Sequence, residues 1–375
     1  MKIALVCEYF PKSSERQMRG GVEARTYFIA KQLAKRHDVT VYAVLEPGLE
    51  KDSGFDGMMV VRVGPAIEYS QASSLPKRLA YMRNAAKAVA SGGFDVVDGC
   101  SVTGYPPAWW SASKTRVATY HDVWVGRWIA NLGLKGVLGE VMERYVLSRG
   151  WDRFIAVSEY TKANLVGYGI KPGRITVASN GIDVAGYGKI SSKKYEKPTI
   201  CSIARLVSYK RLSDLIEAAA KVRQDIPDLR VIIIGTGPER DNLEALAKRL
   251  KMSDCVEFAG YVERHDDVLA ALKSSHVFCL PSVVEGFEIS VVEAMALGIP
   301  YVASDIPAIR EATRGGEGGL LFRPGSTDEL ALKLTEALGG KVRGGVDFIG
   351  EYDWSKTAQK VEQAYASAMQ ERTRF

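Results

Sequence analysis

A chain of 375 residues is too long for one hydrophobic core and divides into two domains. With 46% hydrophobic and 25% charged residues it has the composition of a globular protein, which excludes disorder, and no run of about 20 apolar residues offers a membrane-spanning helix. The net charge of +6 is uneven: residues 1–190 carry 25 Lys and Arg against 17 Asp and Glu, the remainder 25 against 27. A basic first half suits a phosphorylated substrate or an acidic membrane face; a solvated surface with a few extra lysines accounts for it as well.

In chain order, residues 2–7 read as a strand rather than a signal peptide. Glu8 ends the apolar run and no small-residue cleavage site follows, so a cytoplasmic location is expected. Residues 21–36 read as a helix, and 38–45, 59–63, 95–98, 115–120 and 153–156 as strands. A Gly-, Ser- and Lys-rich stretch at 186–198 reads as a linker. The same grammar then restarts, with strands 199–205, 230–235, 256–259, 277–281 and 301–304. Helices are expected at 212–224, 238–250, around 267–274 and at 288–297. Such alternation predicts an α/β fold of two Rossmann-like, doubly wound domains, 1–187 and 188–354, with ligand in a crevice between them. A last helix, within about 355–375, is expected to return to the first domain. Five scattered cysteines without CxxC spacing read as buried free thiols.

The densest chemical signal follows the strand ending near Leu280. There Glu285-Gly286-Phe287 leads into a helix bearing Glu293. Two carboxylates around a helix start can accept paired hydrogen bonds from vicinal sugar hydroxyls, beside backbone amides that can bind an anion; they can equally complement the helix dipole. Gly235-Thr236-Gly237 opens a helix after a strand, as a dinucleotide fingerprint would, but Arg240 stands where the third glycine belongs. No Asp-x-Asp occurs to hold a metal on a diphosphate, and no His or Cys cluster suggests a metal centre.

Glu285-Gly286-Phe287 through Val292-Glu293-Ala294-Met295-Ala296, with Gly298 and Pro300, resembles the E-x7-E segment of retaining glycosyltransferases of the GT-B fold, family four above all. Gly20-Gly21-Val22-Glu23, His121-Asp122, Val157-Ser158-Glu159, Asn180-Gly181-Ile182-Asp183, Ala204-Arg205-Leu206 with Lys210, and Gly319-Leu320-Leu321-Phe322 match further segments in that family's order.

The resemblance implies roles. Arg205 and Lys210 neutralise the donor diphosphate, Glu285 binds the transferred sugar and Glu293 the ribose. His121 contacts the donor sugar or reacting centre, although a histidine at a strand end can also be structural. Gly20, Gly21, Gly235, Gly237, Tyr261, Val262, Phe287, Glu288, Ile289 and Ser290 complete the donor-binding set. Glu288, Ala204 and Arg211 stand where the family often has glycine, and Glu288 leaves the donor sugar in doubt.

The implied reaction moves a hexose-type sugar from a UDP- or GDP-sugar to an acceptor hydroxyl on a glycan or lipid-linked precursor. No cofactor, metal or nucleic acid is implied. A phosphorylase, an epimerase and a non-catalytic nucleotide-sugar binder share the architecture. Trp109, Trp110, Trp124 and Trp128 in the first domain suit either peripheral membrane contact with a lipid-linked acceptor or plain core packing.

Overall fold

Valine- and isoleucine-rich runs between helices form two mainly parallel sheets in the computed structural model, which describes residues 1–15, 17–69 and 74–372. The chain divides into one unit of Met1–Gly181 with Trp354–Phe375 and another of Ile182–Asp353. The division precedes the Gly-rich stretch at 186–198. Ile182 already donates its N–H to Tyr352 O at 2.7 Å, and the Tyr187 hydroxyl reaches Glu293, so this segment is pinned into the second unit.

The first unit contains β1 (Lys2–Val6), β2 (Asp38–Val44), β3 (Asp52–Phe55), β4 (Met58–Val63), β5 (Val96–Gly99), β6 (Thr115–Tyr120), β7 (Arg153–Ala156) and β8 (Ile175–Val177). Their order is β3-β4-β2-β1-β5-β6-β7-β8. Among the described residues only β3 runs antiparallel to its neighbour, β4. Asp56 and Gly57 make that hairpin with φ of 52° and 78°, the left-handed pair a tight hairpin demands. Sequence reading omitted β3 because Asp-Ser-Gly-Phe has no apolar alternation, and β8 because it is three residues long. The C-terminal helix Trp354–Arg372 belongs to this unit. Trp354 stacks on Phe28 at 5.2 Å, and the Tyr365 hydroxyl donates to Asp98 at 2.7 Å. Residues 373–375, the end of the expected helix, lie outside the described residues.

The second unit contains β9 (Thr199–Ile203), β10 (Arg230–Ile234), β11 (Val256–Gly260), β12 (Val277–Leu280), β13 (Tyr301–Ser304) and β14 (Gly319–Phe322), ordered β11-β10-β9-β12-β13-β14. All pairs are parallel and most strand residues are buried, with helices such as Leu212–Asp225 and Thr327–Leu338 contributing to the core. The strand order reverses between β9 and β12. At such a switch point the loops leaving two neighbouring strands diverge to opposite faces and open a crevice at the carboxyl edge of the sheet.

Candidate active site

Topology explains why residues 75 positions apart meet. β9 pairs with β12, Val277 opposite Ile200 and Phe278 opposite Cys201, so the loops leaving both strands emerge side by side at the switch point. The β9 loop ends in a short 3₁₀ turn, Ser208–Lys210. The β12 loop carries Glu285 and delivers the chain to helix Ile289–Ala296. Lys210 Nζ lies 2.6 Å from Glu285 Oε1 and 2.9 Å from Glu288 Oε2. The three side chains are only 11%, 10% and 11% exposed.

Their titration follows from that crowding. Burial alone would pull the Lys210 ammonium down, but the two carboxylates hold it above its usual range. Glu285 is pushed up by burial and by Glu288. Burial pushes Glu288 up as well, but Lys210 and hydrogen bonds from Glu285 and Ser290 outweigh it and bring it below the usual range. Glu288 also caps the helix: its Oε1 accepts from Ser290 N–H at 3.2 Å and Ser290 Oγ at 2.7 Å.

Glu293 is buried in the same helix, where its Oε1 accepts from the Tyr187 hydroxyl at 2.8 Å and lies 2.8 Å from His265 Nε2. Arg205 is exposed on the β9 loop, and its Nη2 donates to the Tyr209 hydroxyl at 2.5 Å. Phe287 is buried edge-on against Tyr352. Tyr261 and Val262 follow β11; Tyr261 is exposed and Val262 half-buried.

Gly235 and Gly237 serve the Arg205 loop directly. A Cβ at Gly235 would lie 2.0 Å from Ala204 O, one at Gly237 2.3 Å from Leu206 O, and Gly235 has φ of +136°. Their glycine identity is thus set by close backbone packing: Leu206 N–H donates to Thr236 O at 2.9 Å and Glu239 N–H to Leu206 O at 3.0 Å. Arg211 is left-handed at φ 48°, which is why glycine suits that position, and its guanidinium grips both Asp214 carboxylate oxygens at 2.6 and 2.8 Å.

In the first unit the switch point lies between β1 and β5. Gly20 caps helix Gly21–Leu33 with φ of −177°, and a Cβ there would meet nothing closer than Tyr69 Oη at 3.9 Å, so the fold itself does not demand glycine at 20. Glu23 is fully engaged with Arg19, at 2.8 Å, and Arg19 also reaches Glu46. This network fixes the approach to Gly20. His121 follows β6. Its Nε2 is buried and makes no hydrogen bond among the described residues. Burial and the Arg25 guanidinium lower its pKa to about 3, so the ring is neutral at physiological pH.

The family described as Glycosyltransferase Family 4 matches residues 19–185, and that described as Glycosyl transferases group 1 matches 187–345; the two matches leave out only Gly186 between them. The chain belongs to the family-four glycosyltransferases.

Among curated relatives, an uncharacterized glycosyltransferase of Haemophilus influenzae is 30% identical over 220 residues, 55% of this chain and 61% of its own length. The phosphatidyl-myo-inositol mannosyltransferase of Mycobacterium leprae is 30% identical over 201 residues, half of each chain. The chain thus spans between about half and three-fifths of the length of these relatives. The crystal structure of Anabaena HepE in complex with UDP-glucose superposes with a TM-score of 0.69 at 19% identity, over 100% of this chain and 98% of that one. Both units of this family-four chain therefore have the Rossmann-like layout of GT-B proteins.

Of the family positions expected from sequence, the second unit brings Lys210, Glu285, Glu288 and Ser290 into one connected cluster. Glu293 is held separately, by Tyr187 and His265. Sequence reading missed Tyr187, Tyr209 and His265, which lie outside the recognised segments and are brought in by hydrogen bonds alone. The acid at 288, read there both as a donor-binding position and as a departure from the family's glycine, is the one that completes the Lys210 cluster.

Proposed function

We propose that this chain is a retaining, metal-independent glycosyltransferase that uses a nucleoside-diphosphate sugar. The observation that carries the reading is the buried Lys210–Glu285–Glu288 cluster at the β9/β12 switch point, beside the start of helix Ile289–Ala296. A cation and helix amides suit a diphosphate, and acids suit sugar and ribose hydroxyls. Arg205 and Lys210 take up charge on the departing diphosphate, Glu285 orients the sugar and Glu293 the ribose.

In the transfer itself the anomeric C–O bond to phosphate breaks and a C–O bond to the acceptor forms on the same face. The acceptor proton passes to the leaving phosphate, so no strong side-chain base is required. Rate then comes from positioning and charge stabilisation. For the first unit we assign the Gly20-Gly21 backbone to phosphate contact and His121 to work as a neutral imidazole. The HepE complex makes UDP-glucose a natural first donor to test, and GDP-sugars belong in the same panel.

Nucleotide release with a panel of UDP- and GDP-sugars and a lipid or glycan acceptor tests the reading. Turnover with at least one donor is expected. Tight donor binding with no release for any acceptor would reduce the chain to a binder.

For the acceptor we propose a lipid-linked glycan met at a membrane face. The support is a run of exposed apolar residues across 129–141: Ile129, Leu134, Val137, Leu138 and Val141, with Leu134 89% and Val141 60% exposed. Arg144 is exposed one turn further; Glu143 is buried and binds Trp124 N–H and Trp128 Nε1–H, and Glu140 is paired with Arg144 at the surface. Among the described residues no helix is long and apolar enough to cross a membrane. Sedimentation with anionic vesicles at low salt should carry down the protein, and Leu134→Glu with Val141→Glu should leave it in the supernatant.

A further inference from the structure

The Lys210 ammonium already has its anion. It lies buried between two acids; Glu285, pushed up by burial and by Glu288, hydrogen-bonds to Glu288, which keeps its charge against the ammonium, and no other cation is hydrogen-bonded to either acid among the described residues. A nucleoside diphosphate would add about two more negative charges at the same ammonium. In a poorly hydrated site like charges a few ångströms apart are not tolerated together; one must protonate or move. Lys210 therefore cannot serve a phosphate oxygen while keeping both of its present partners.

The two acids differ in what else they hold. Glu288 has a second set of donors on its other oxygen, the N–H and hydroxyl of Ser290, and these anchor it as the helix cap whether or not Lys210 stays. Its remaining oxygen sits 2.9 Å from Lys210 Nζ, the distance a phosphate oxygen would take up. Glycine at this position, which the family often carries, offers no such oxygen.

We propose that Glu288 is an internal counter-anion. Its carboxylate occupies the hydrogen bond on Lys210 that a diphosphate oxygen of the donor takes over, so the residue sets donor affinity by competing for that lysine. The inference rests on the nucleoside-diphosphate reading of this unit. It adds a specific consequence: removing an acid from the site strengthens ligand binding instead of weakening it.

Calorimetric titration of the full chain with UDP and with GDP tests this. Glu288→Gln keeps the shape and the capping acceptor. Glu288→Ser keeps a capping hydroxyl and removes the carboxylate. Both should bind the preferred diphosphate about tenfold more tightly than the wild type, and the gain should vanish when either is combined with Lys210→Met. A residue that merely caps the helix would lower affinity when changed, or leave it alone, whatever stands at 210. Wild-type binding with unchanged or weaker affinity in both variants, their melting temperatures intact, would overturn the proposal. Absence of any diphosphate binding in the wild type would overturn the underlying reading of the unit, and the proposal with it.

Discussion

Each unit buries a cluster of acid and base, and the two hold their acids differently. In the first, Asp98 accepts from Thr119 N–H at 3.1 Å, from the Thr119 hydroxyl at 2.7 Å and from the Tyr365 hydroxyl at 2.7 Å. Arg25, whose Nη1 donates to Asn180 at 2.9 Å, shares with Asp98 a cavity of about 10 Å³, room for a single water. One acid thus meets donors on both oxygens, and the cluster ties the C-terminal helix to its sheet. In the second unit two acids compete for Lys210 beside a helix start. Asp98, with donors on both oxygens, holds its partners; in the proposal above, Glu288 instead yields its place on Lys210 to an incoming phosphate.

The largest effect should come from breaking the second cluster or its cationic loop. Arg205→Ala and Glu285→Ala should each lower turnover by about 10²–10³-fold while circular dichroism and melting stay near wild type. Near-normal turnover in both would remove the site assignment.

Next is a pH effect confined to the first cluster. Burial raises Asp98 to about 6, against the opposing pull of Tyr365, Thr119 and Arg25. The folded state therefore keeps a proton that the unfolded chain releases above its ordinary value of 3.8. Its contribution to stability is full at low pH and is lost as pH rises from about 4 through 6, by roughly 3 kcal/mol. Asp98→Asn cannot lose that proton. Denaturant melts at pH 4 and pH 7 should show the variant gaining on the wild type by an amount of that order as pH rises; a constant gap would count against a raised Asp98.

Smaller still, Tyr365→Phe removes one buried hydrogen bond and should cost about 1–2 kcal/mol in the same melts, with turnover unchanged. The smallest effect is expected at Arg211. Glycine there relieves the left-handed backbone but loses the Asp214 pair, so Arg211→Gly should shift stability by less than about 1 kcal/mol.

Much of the layout was legible beforehand. Strands 115–120, 153–156 and 301–304 lie where the sequence reading placed them, short runs whose residues are almost all buried. The edge strands β3, β8 and β14 were not read from the sequence, being short and only partly apolar. The two units part at Gly181 and Ile182, a few residues before the stretch read as a linker, because Ile182 and Tyr187 are already hydrogen-bonded into the second unit. The glycines at 235 and 237 read as donor-binding positions; that packing also demands glycine there was not legible, since nothing local reveals that the Ala204 and Leu206 carbonyls lie 2.0 and 2.3 Å from where their Cβ atoms would be.

By itself, then, the sequence determined the alternating α/β grammar, the family and most of the residue types at the carboxyl edge of the second sheet, because hydrophobic period and short motifs are local. Only the tertiary structure decided which of those residues share a charge. The pairing of β9 with β12 brings Lys210 to Glu285 and Glu288, and the packing of Tyr187 and His265 closes on Glu293. In the proposal above, burial turns Glu288, unremarkable in a solvated loop, into a group that changes partners when an anion arrives, because only there does water cease to screen it.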